Sequence, residues 1–447
     1  MALAKDENLE LTLKVLPAIV VILAASALCG RLALLVKQPR VLGEMVAGVL
    51  LGPTFFGALF PGVQKNVFAP EVTPVLYVLS TIGLTLFMFL VGAGLDHEGD
   101  GEGKSVRQAG ALAISGIVPS LLLGVGAGYL LHDRLSRSDV GAFEFALFIG
   151  GALSITAFPM LARILYERGL ENSRLGRMTL LGASIDDAAA WCFLALLSAM
   201  HANAGAGQAL RTIGLSLVFV LVMLLVVRKI LQPLGNRVER TGTLGFDQMY
   251  LVLGVVLLSG YCTDYIGIYS VFGGFIAGLS MPRNPAFREA LHSRMMDLVC
   301  VLLLPIFFAF SGLNTQLAGV TGWFMIASFI LVLAAGFIGK YFGCGLAMRA
   351  VGFSWRESWA VGGLMNARGL MILIFINIGL AQGIISQDVF SMLVLVAVLT
   401  TAAAMPLYRL ALPEQLEAGL SPEAEARRTG AAEGTPGDKE LISLDSK

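Results

Sequence analysis

The chain of 447 residues is 56% hydrophobic and 14% charged, with 31 basic against 31 acidic side chains. Soluble domains carry roughly 25% charged residues, so an ordinary soluble domain is excluded and a polytopic, all-α membrane protein is indicated. The balanced charge gives no footing for a nucleic-acid partner, and no motif calls for a cofactor or for enzyme chemistry.

About thirteen apolar segments of membrane-spanning length are predicted. They lie near residues 11–36, 40–60, 72–95, 108–131, 142–166, 176–200, 209–231, 246–263, 265–281, 294–312, 322–348, 356–380 and 388–412. The first is long and lacks a small-residue cleavage site, so it reads as a retained helix. The second carries "VLGEMVAGVLLGP" and the fifth "GGALSITAFPMLARIL". In the fifth, Pro159 removes a backbone donor in mid-span and Thr156 can bond the freed backbone. The sixth, "LLGASIDDAAAWCFLALL", places Asp186 and Asp187 side by side, and the eleventh holds Lys340. In the twelfth, "GGLMNARGLMILIF", Asn366, Arg368 and Gly369 interrupt an apolar run. Residues 1–413 thus form one membrane domain, and the polar, acidic stretch 414–447 is expected to be a disordered tail, too short for a nucleotide-binding regulatory domain.

Basic residues set the expected orientation. The odd-to-even loops and helix ends hold Arg31, Lys37, Arg107, Arg174, Arg228, Arg283 and most of the others. The opposite side has Lys5, Lys14, Lys65, Arg134, Arg137 and Arg211. The N-terminus is therefore expected outside and the C-terminus in the cytoplasm. Five cysteines (Cys29, Cys192, Cys262, Cys300, Cys344) fall within predicted helices at no metal-ligand spacing and read as packing residues. His97, His132, His201 and His292 sit at helix ends or in loops and read as solvated.

The second and ninth segments share a pattern. Val41, Gly43, Ala47 and Gly48 match Val271, Gly273, Ala277 and Gly278 at one constant offset. The two segments would cross the membrane in opposite directions, which points to halves made of helices 1–6 and 8–13 related by inverted topology. The interruptions in segments 5 and 12 occupy corresponding places in those halves. Irregular backbone at that depth is tolerated only where it is buried in protein or lines a wet cavity.

Four ionisable groups lie deep in the predicted spans: Asp186, Asp187, Lys340 and Arg368. A charged residue at a helix centre costs roughly 2.5–3.5 kcal/mol, so four unpaired ones would oppose folding by about 10 kcal/mol. They must be paired, hydrated or neutralised. Adjacent helix residues point about 100° apart, so the two aspartates cannot serve one partner equally. One can meet a cation on a neighbouring helix while the other faces a cavity. Which groups pair is open at this point. Glu44 and Asp264 are weaker candidates and read as structural.

"SITAFPMLARILYERGL" followed by "GASIDDAAAW" resembles the monovalent cation:proton antiporter family, as do "QPRVLGEMVAGVLLGP", "LPIFFAFSGL" and "GLMNARGLMILIFINIGLAQGIIS". The resemblance implies a multi-pass inner-membrane protein with crossed, discontinuous helices 5 and 12. It also implies a homodimer in which panel helices (about 1, 2, 8 and 9) hold core helices (about 4–6 and 11–13) that move like an elevator. By that similarity Asp187 binds the cation and the proton in turn. Na+ is the first expectation, with Li+ and K+ as alternatives. Asp186 would pair with Lys340, Ser154 and Thr156 would help to coordinate or gate the ion, and Pro159, Asn366 and Arg368 would support the breaks. Some sodium-selective members carry another carboxylate near the helix-5 break, where this chain has Ile155 and Thr156, so ion identity is less fixed than mechanism.

Three other classes compete. An intramembrane aspartyl protease needs carboxylates on different helices facing one water, whereas these are consecutive. A sodium-coupled symporter of an organic anion could share the fold, with Arg368 receiving the carboxylate. A passive cation channel is disfavoured by a lysine in the site.

Overall fold

The computed structural model describes residues 7–94, 104–137, 139–167, 170, 173–201, 206–267, 269–315 and 322–413. The tail 414–447 and His97 lie outside the described residues, as do the side chains of Pro159 and His201. Every regular element among the described residues is a helix. In chain order, α1 (Glu7–Leu35) and α2 (Arg40–Leu51) precede two short helices, α3 (Phe56–Leu59) and α4 (Pro61–Val67), and then α5 (Val72–Gly94) and α6 (Lys104–Leu135). The fifth predicted segment holds two helices, α7 (Ala142–Ser154) and α8 (Phe158–Glu167), and α9 (Arg174–His201) is the sixth. A π-turn, Met223–Val227, joins α10 (Ala206–Val222) to α11 (Arg228–Thr241), and α12 (Phe246–Ile266) and α13 (Ser270–Leu279) follow. A second π-turn, Val299–Leu303, joins α14 (Pro285–Leu298) to α15 (Leu304–Leu313). Next come α16 (Trp323–Ala350), the pair α17 (Trp355–Leu364) and α18 (Gly369–Gln382), and α19 (Gln387–Ala411). Nine helical stretches among the described residues are long and apolar enough to cross a membrane.

The boundaries depart from the sequence reading where polar residues begin or end a helix. The stretch predicted over 209–231 continues to Thr241, because Leu231, Gly235 and Val238 keep a buried face beneath Arg228, Lys229 and Arg237. Gly242 stops it at φ +68°, its N–H donating to the Val238 carbonyl. The stretch predicted from 294 begins earlier, at Pro285, where Asn284 Oδ1 accepts from the Ala286 and Phe287 amides at 2.9 and 3.3 Å. A hydropathy reading passes over such caps. The predicted segment 40–60 ends its first helix at Leu51, with Gly52 extended and Pro53 next. Among the cysteines Cys344 is buried, Cys29, Cys262 and Cys300 are partly buried, and Cys192 is exposed.

The helices pack as two groups. In one, α6 lies against α7, α9 and α16, and α17 against α16 and α19; α18 packs on α19 and α8 on α9. In the other, α2 lies between α1 and α15, and α13 between α12 and α5. Glycine makes the second group possible. A side chain at Gly43 would overlap the Cys29 carbonyl of α1, and one at Gly48 the Phe308 carbonyl of α15. The same happens at Gly273 with the Ser259 carbonyl of α12, and at Gly278 with the Phe89 carbonyl of α5. Gly43 and Cys29 thus correspond to Gly273 and Ser259 at the offset seen in the sequence. Gly48 and Gly278 also correspond at that offset, the first set against α15 and the second against α5.

Side chains reach across the seam between the groups at a few points. Gln38 Nε2 donates to the Ala402 carbonyl at 3.0 Å and the Arg409 guanidinium to the Lys37 carbonyl at 3.0 Å. Elsewhere Asn377 Nδ2 donates to Ser311 Oγ at 3.0 Å and Gln382 Nε2 to the Tyr269 hydroxyl at 3.1 Å, and Gln387 donates to the Asn314 carbonyl.

Candidate ion-binding site

Two breaks in helices define the site. α7 stops at Ser154, the backbone is extended at Ile155 (φ −73°, ψ 137°), and α8 starts at Phe158. Position 159 falls in the first turn of α8, where the four N–H groups lack helical partners anyway. The proline therefore starts the second half-helix, immediately after the break, in the middle of the predicted segment. The other break runs from Met365 to Arg368, and Gly369 opens α18 at φ +45°, a conformation that favours glycine. The breaks bind each other. The Ala157 N–H donates to the Ala367 carbonyl at 2.9 Å, and Thr156 Oγ1 to the Met365 carbonyl at 3.1 Å. Asn366 Nδ2 donates to the Gly362 carbonyl at 3.0 Å, and the Gly369 N–H donates to Thr401 Oγ1 at 3.0 Å.

The four deep charges converge here, all buried, with Lys340 and Arg368 at 0% exposure and Asp186 and Asp187 at 1%. Lys340 Nζ donates to Asp186 Oδ2 at 2.6 Å and also to the Ser154 carbonyl. The Arg368 guanidinium donates to the Leu153 carbonyl, to the Ile155 carbonyl at 3.4 Å and to the Gly336 carbonyl at 2.6 Å. Ser154 Oγ donates to the Gly151 carbonyl at 2.8 Å. The last carbonyls of α7, which have no helical donors, are thereby met by two cations. Positive charge at a helix C-terminus is the favourable sign for the macrodipole.

Only one carboxylate is paired. Arg368 makes none of these bonds to an aspartate, and both carboxylate oxygens of Asp187 are buried without a hydrogen-bond partner. Asn366 Oδ1 is likewise buried without one. The Phe158 N–H faces Asp187 without reaching full hydrogen-bond geometry, and Lys340 acts on it through charge alone. A buried carboxylate with no donor must be neutralised by a proton or a cation, since burial of an unpaired charge is very costly. The pair and the breaks together leave one acidic group in place to receive either.

Sequence reasoning missed Gly336 and Thr401. A side chain at Gly336 would crowd the Arg368 guanidinium, with Nη2 3.0 Å from its Cβ, so the small residue makes room for the arginine. Thr401 lies in an ordinary apolar helix and carries no signal. The weaker candidates have local roles. Asp264 Oδ1 accepts the Ser270 N–H at 2.6 Å at the start of α13, and Glu44 lies 3.8 Å from Arg40 on α2.

Comparison with known proteins bears on this arrangement. The family model described as "Sodium/hydrogen exchanger, transmembrane" matches residues 19–408. The Na(+)/H(+) antiporter NhaS4 of Synechocystis sp. is 38% identical over 400 residues, covering 88% of this chain and 96% of that protein. Cation/H(+) antiporter 20 of Arabidopsis thaliana is 35% identical, and K(+)/H(+) antiporter 1 of Saccharomyces cerevisiae is 30% identical. These matches cover 86% and 90% of this chain, which spans about half the length of either relative (47% of each). The solved structure of the sodium proton antiporter MjNhaP1 from Methanocaldococcus jannaschii matches with a TM-score of 0.62 at 15% identity, over 92% of this chain and 100% of that one, and so shares the fold. With a family match over nearly the whole helical region and a relative matched almost end to end, the chain belongs to the sodium/hydrogen exchanger family.

Proposed function

We propose that the chain is a secondary antiporter that exchanges a monovalent cation for protons, with Asp187 as the group that binds each in turn. The observation that carries this reading is the wholly buried Asp187 carboxylate, without a hydrogen-bond donor, beside two broken helices whose other charges are engaged. A hard cation needs oxygen ligands, and Thr156 and the unpartnered Asn366 Oδ1 are candidates to supply them. A proton on the carboxylate excludes the cation, and a cation excludes the proton. That competition is the coupling.

The remaining expectations join this proposal. Recurrence of the α2 contacts at α13 supports halves of inverted topology. The two packing groups suit a scaffold and a moving core. The working form is a homodimer in the cell membrane with its N-terminus outside. Na+ is the first candidate, given the relative matched end to end, and K+ the second, given the yeast relative. Exchange is electrogenic if the Asp186–Lys340 pair carries a further proton, each net charge then coupling to the potential by about 2.3 kcal/mol per 100 mV. The organic-anion symporter is less favoured, because Arg368, its candidate carboxylate receptor, already donates to backbone carbonyls.

The test is transport in proteoliposomes with no organic solute. An imposed pH gradient should drive uptake of Na+ or K+, and an imposed potential alone should change the rate with its sign. No cation uptake with either ion would reject antiport, and a response blind to the potential would reject electrogenicity while leaving antiport standing.

A further inference from the structure

A cavity lies away from the broken helices. It has a volume of about 130 Å³ and is lined by the end of α5 (Gly92, Ala93), the end of α13 and three arginines from separate places, Arg228, Arg283 and Arg288. Arg228 opens α11 directly after the π-turn, Arg283 lies between α13 and α14, and Arg288 belongs to the first turns of α14. No aspartate or glutamate among the described residues lines the cavity. Glu239 on α11 is engaged by Asn284 Nδ2 at 2.9 Å, and Arg288 donates to the Gly94 carbonyl at 3.5 Å. Among the described residues the guanidinium groups of Arg228 and Arg283 have neither hydrogen bond nor ion pair, and each lies in the other's field. Two unpaired like charges directed at one small cavity repel each other. A bound anion relieves that, and the planar guanidinium matches phosphate oxygens in pairs.

We propose that this cavity binds a phosphate group, held between Arg228 and Arg283 with Arg288 behind. The group can arrive on an anionic phospholipid or as a soluble phosphate. The first source suits the approach: Leu221, Val222, Leu225, Val226 and Ile230 form an exposed apolar surface on the helix leading to Arg228. Acyl chains can lie along that surface while the headgroup reaches the arginines, and basic residues at a membrane surface attract anionic lipid. The elements around the cavity all belong to the group that contains α5 and α13, so the phosphate braces that group without touching the Asp187 site.

The experiment is a melting curve of the delipidated, purified full chain in detergent. Phosphatidylglycerol, phosphatidylcholine and inorganic phosphate are added separately to wild type, Arg283→Gln and the double variant Arg228→Gln/Arg283→Gln. Arg283 is exposed, so its single variant keeps the protein folded even where the double variant does not. A wild-type rise of at least ~3 °C with phosphatidylglycerol, absent with phosphatidylcholine and reduced in Arg283→Gln, is the expected result and assigns the lipid source. The same pattern with inorganic phosphate assigns the soluble source. No rise with either, or a rise that Arg283→Gln leaves intact, overturns the site. The readout is binding, so it stands or fails independently of transport.

Discussion

Two regions of the molecule solve helix contact in opposite ways. Where α2 meets α1 and α15, and where α13 meets α12 and α5, glycines press backbone onto backbone, and only short side chains assist: Ser259 Oγ donates to the Gly273 carbonyl at 3.0 Å and Asp264 accepts the Ser270 N–H. Where α7–α8 meets α17–α18, the backbone itself is broken, and long charged side chains fill the gap with directed bonds. The first kind of contact is steric and tolerates nothing larger. The second is electrostatic, and under the proposed exchange a proton or an ion would rewrite it. Rigidity and chemistry are therefore placed on different helices.

The largest effect is expected at the steric contact. In Gly48→Leu the new side chain collides with the Phe308 backbone, which cannot move aside as a side chain could. Folded, monodisperse protein should vanish from size-exclusion profiles, and a normal profile would show that the close contact is dispensable. At the electrostatic region, Asp187→Asn should leave the profile normal and cut pH-gradient-driven cation uptake to below about a tenth of wild type, since an amide carries no charge to balance a cation. Uptake above that level would move the ion site elsewhere.

Lys340→Ala should lower stability by roughly 3–5 kcal/mol, because it leaves Asp186 buried without its cation. Replacing both partners, Asp186→Leu with Lys340→Met, should recover most of that loss in thermal melts, although transport stays impaired. If the double variant melts no higher than the single one, the pair does more than cancel its own charges. The smallest effect belongs to Thr156→Ala, which removes one bond to the Met365 carbonyl and should cost about 1 kcal/mol. A disproportionate fall in cation affinity there would make Thr156 a ligand as well as a clasp.

The sequence announced much of this because charge in an apolar span is conspicuous. Asp186, Asp187, Lys340 and Arg368 stood out by their depth in the predicted spans, and Thr156 and Asn366 marked both breaks. What stayed hidden was the division of labour. Nothing local says that Arg368 serves the carbonyls of α7 rather than an aspartate, since those carbonyls lie more than two hundred positions away and every residue has one. The constant offset between the two glycine patterns was readable, but the carbonyls that the glycines make room for were not. Helix ends at Pro285 and Thr241 were lost for another reason: capping and amphipathic turns are polar, and a hydropathy threshold stops before them.

The seam between the helix groups has a mechanical meaning. Gln38, Asn377, Gln382, Gln387 and Arg409 cross it one bond at a time, onto carbonyls and hydroxyls that water can serve equally well. A hydrogen bond exchanged for one to water changes free energy by only about 1 kcal/mol. Under the proposed elevator motion, such a boundary would behave like a lubricated bearing, with shallow detents at both ends. Its friction would depend, beside the apolar packing that also spans the groups, on how many of these clasps let go together, and a single glutamine substitution should then tune the transport rate without altering what is carried.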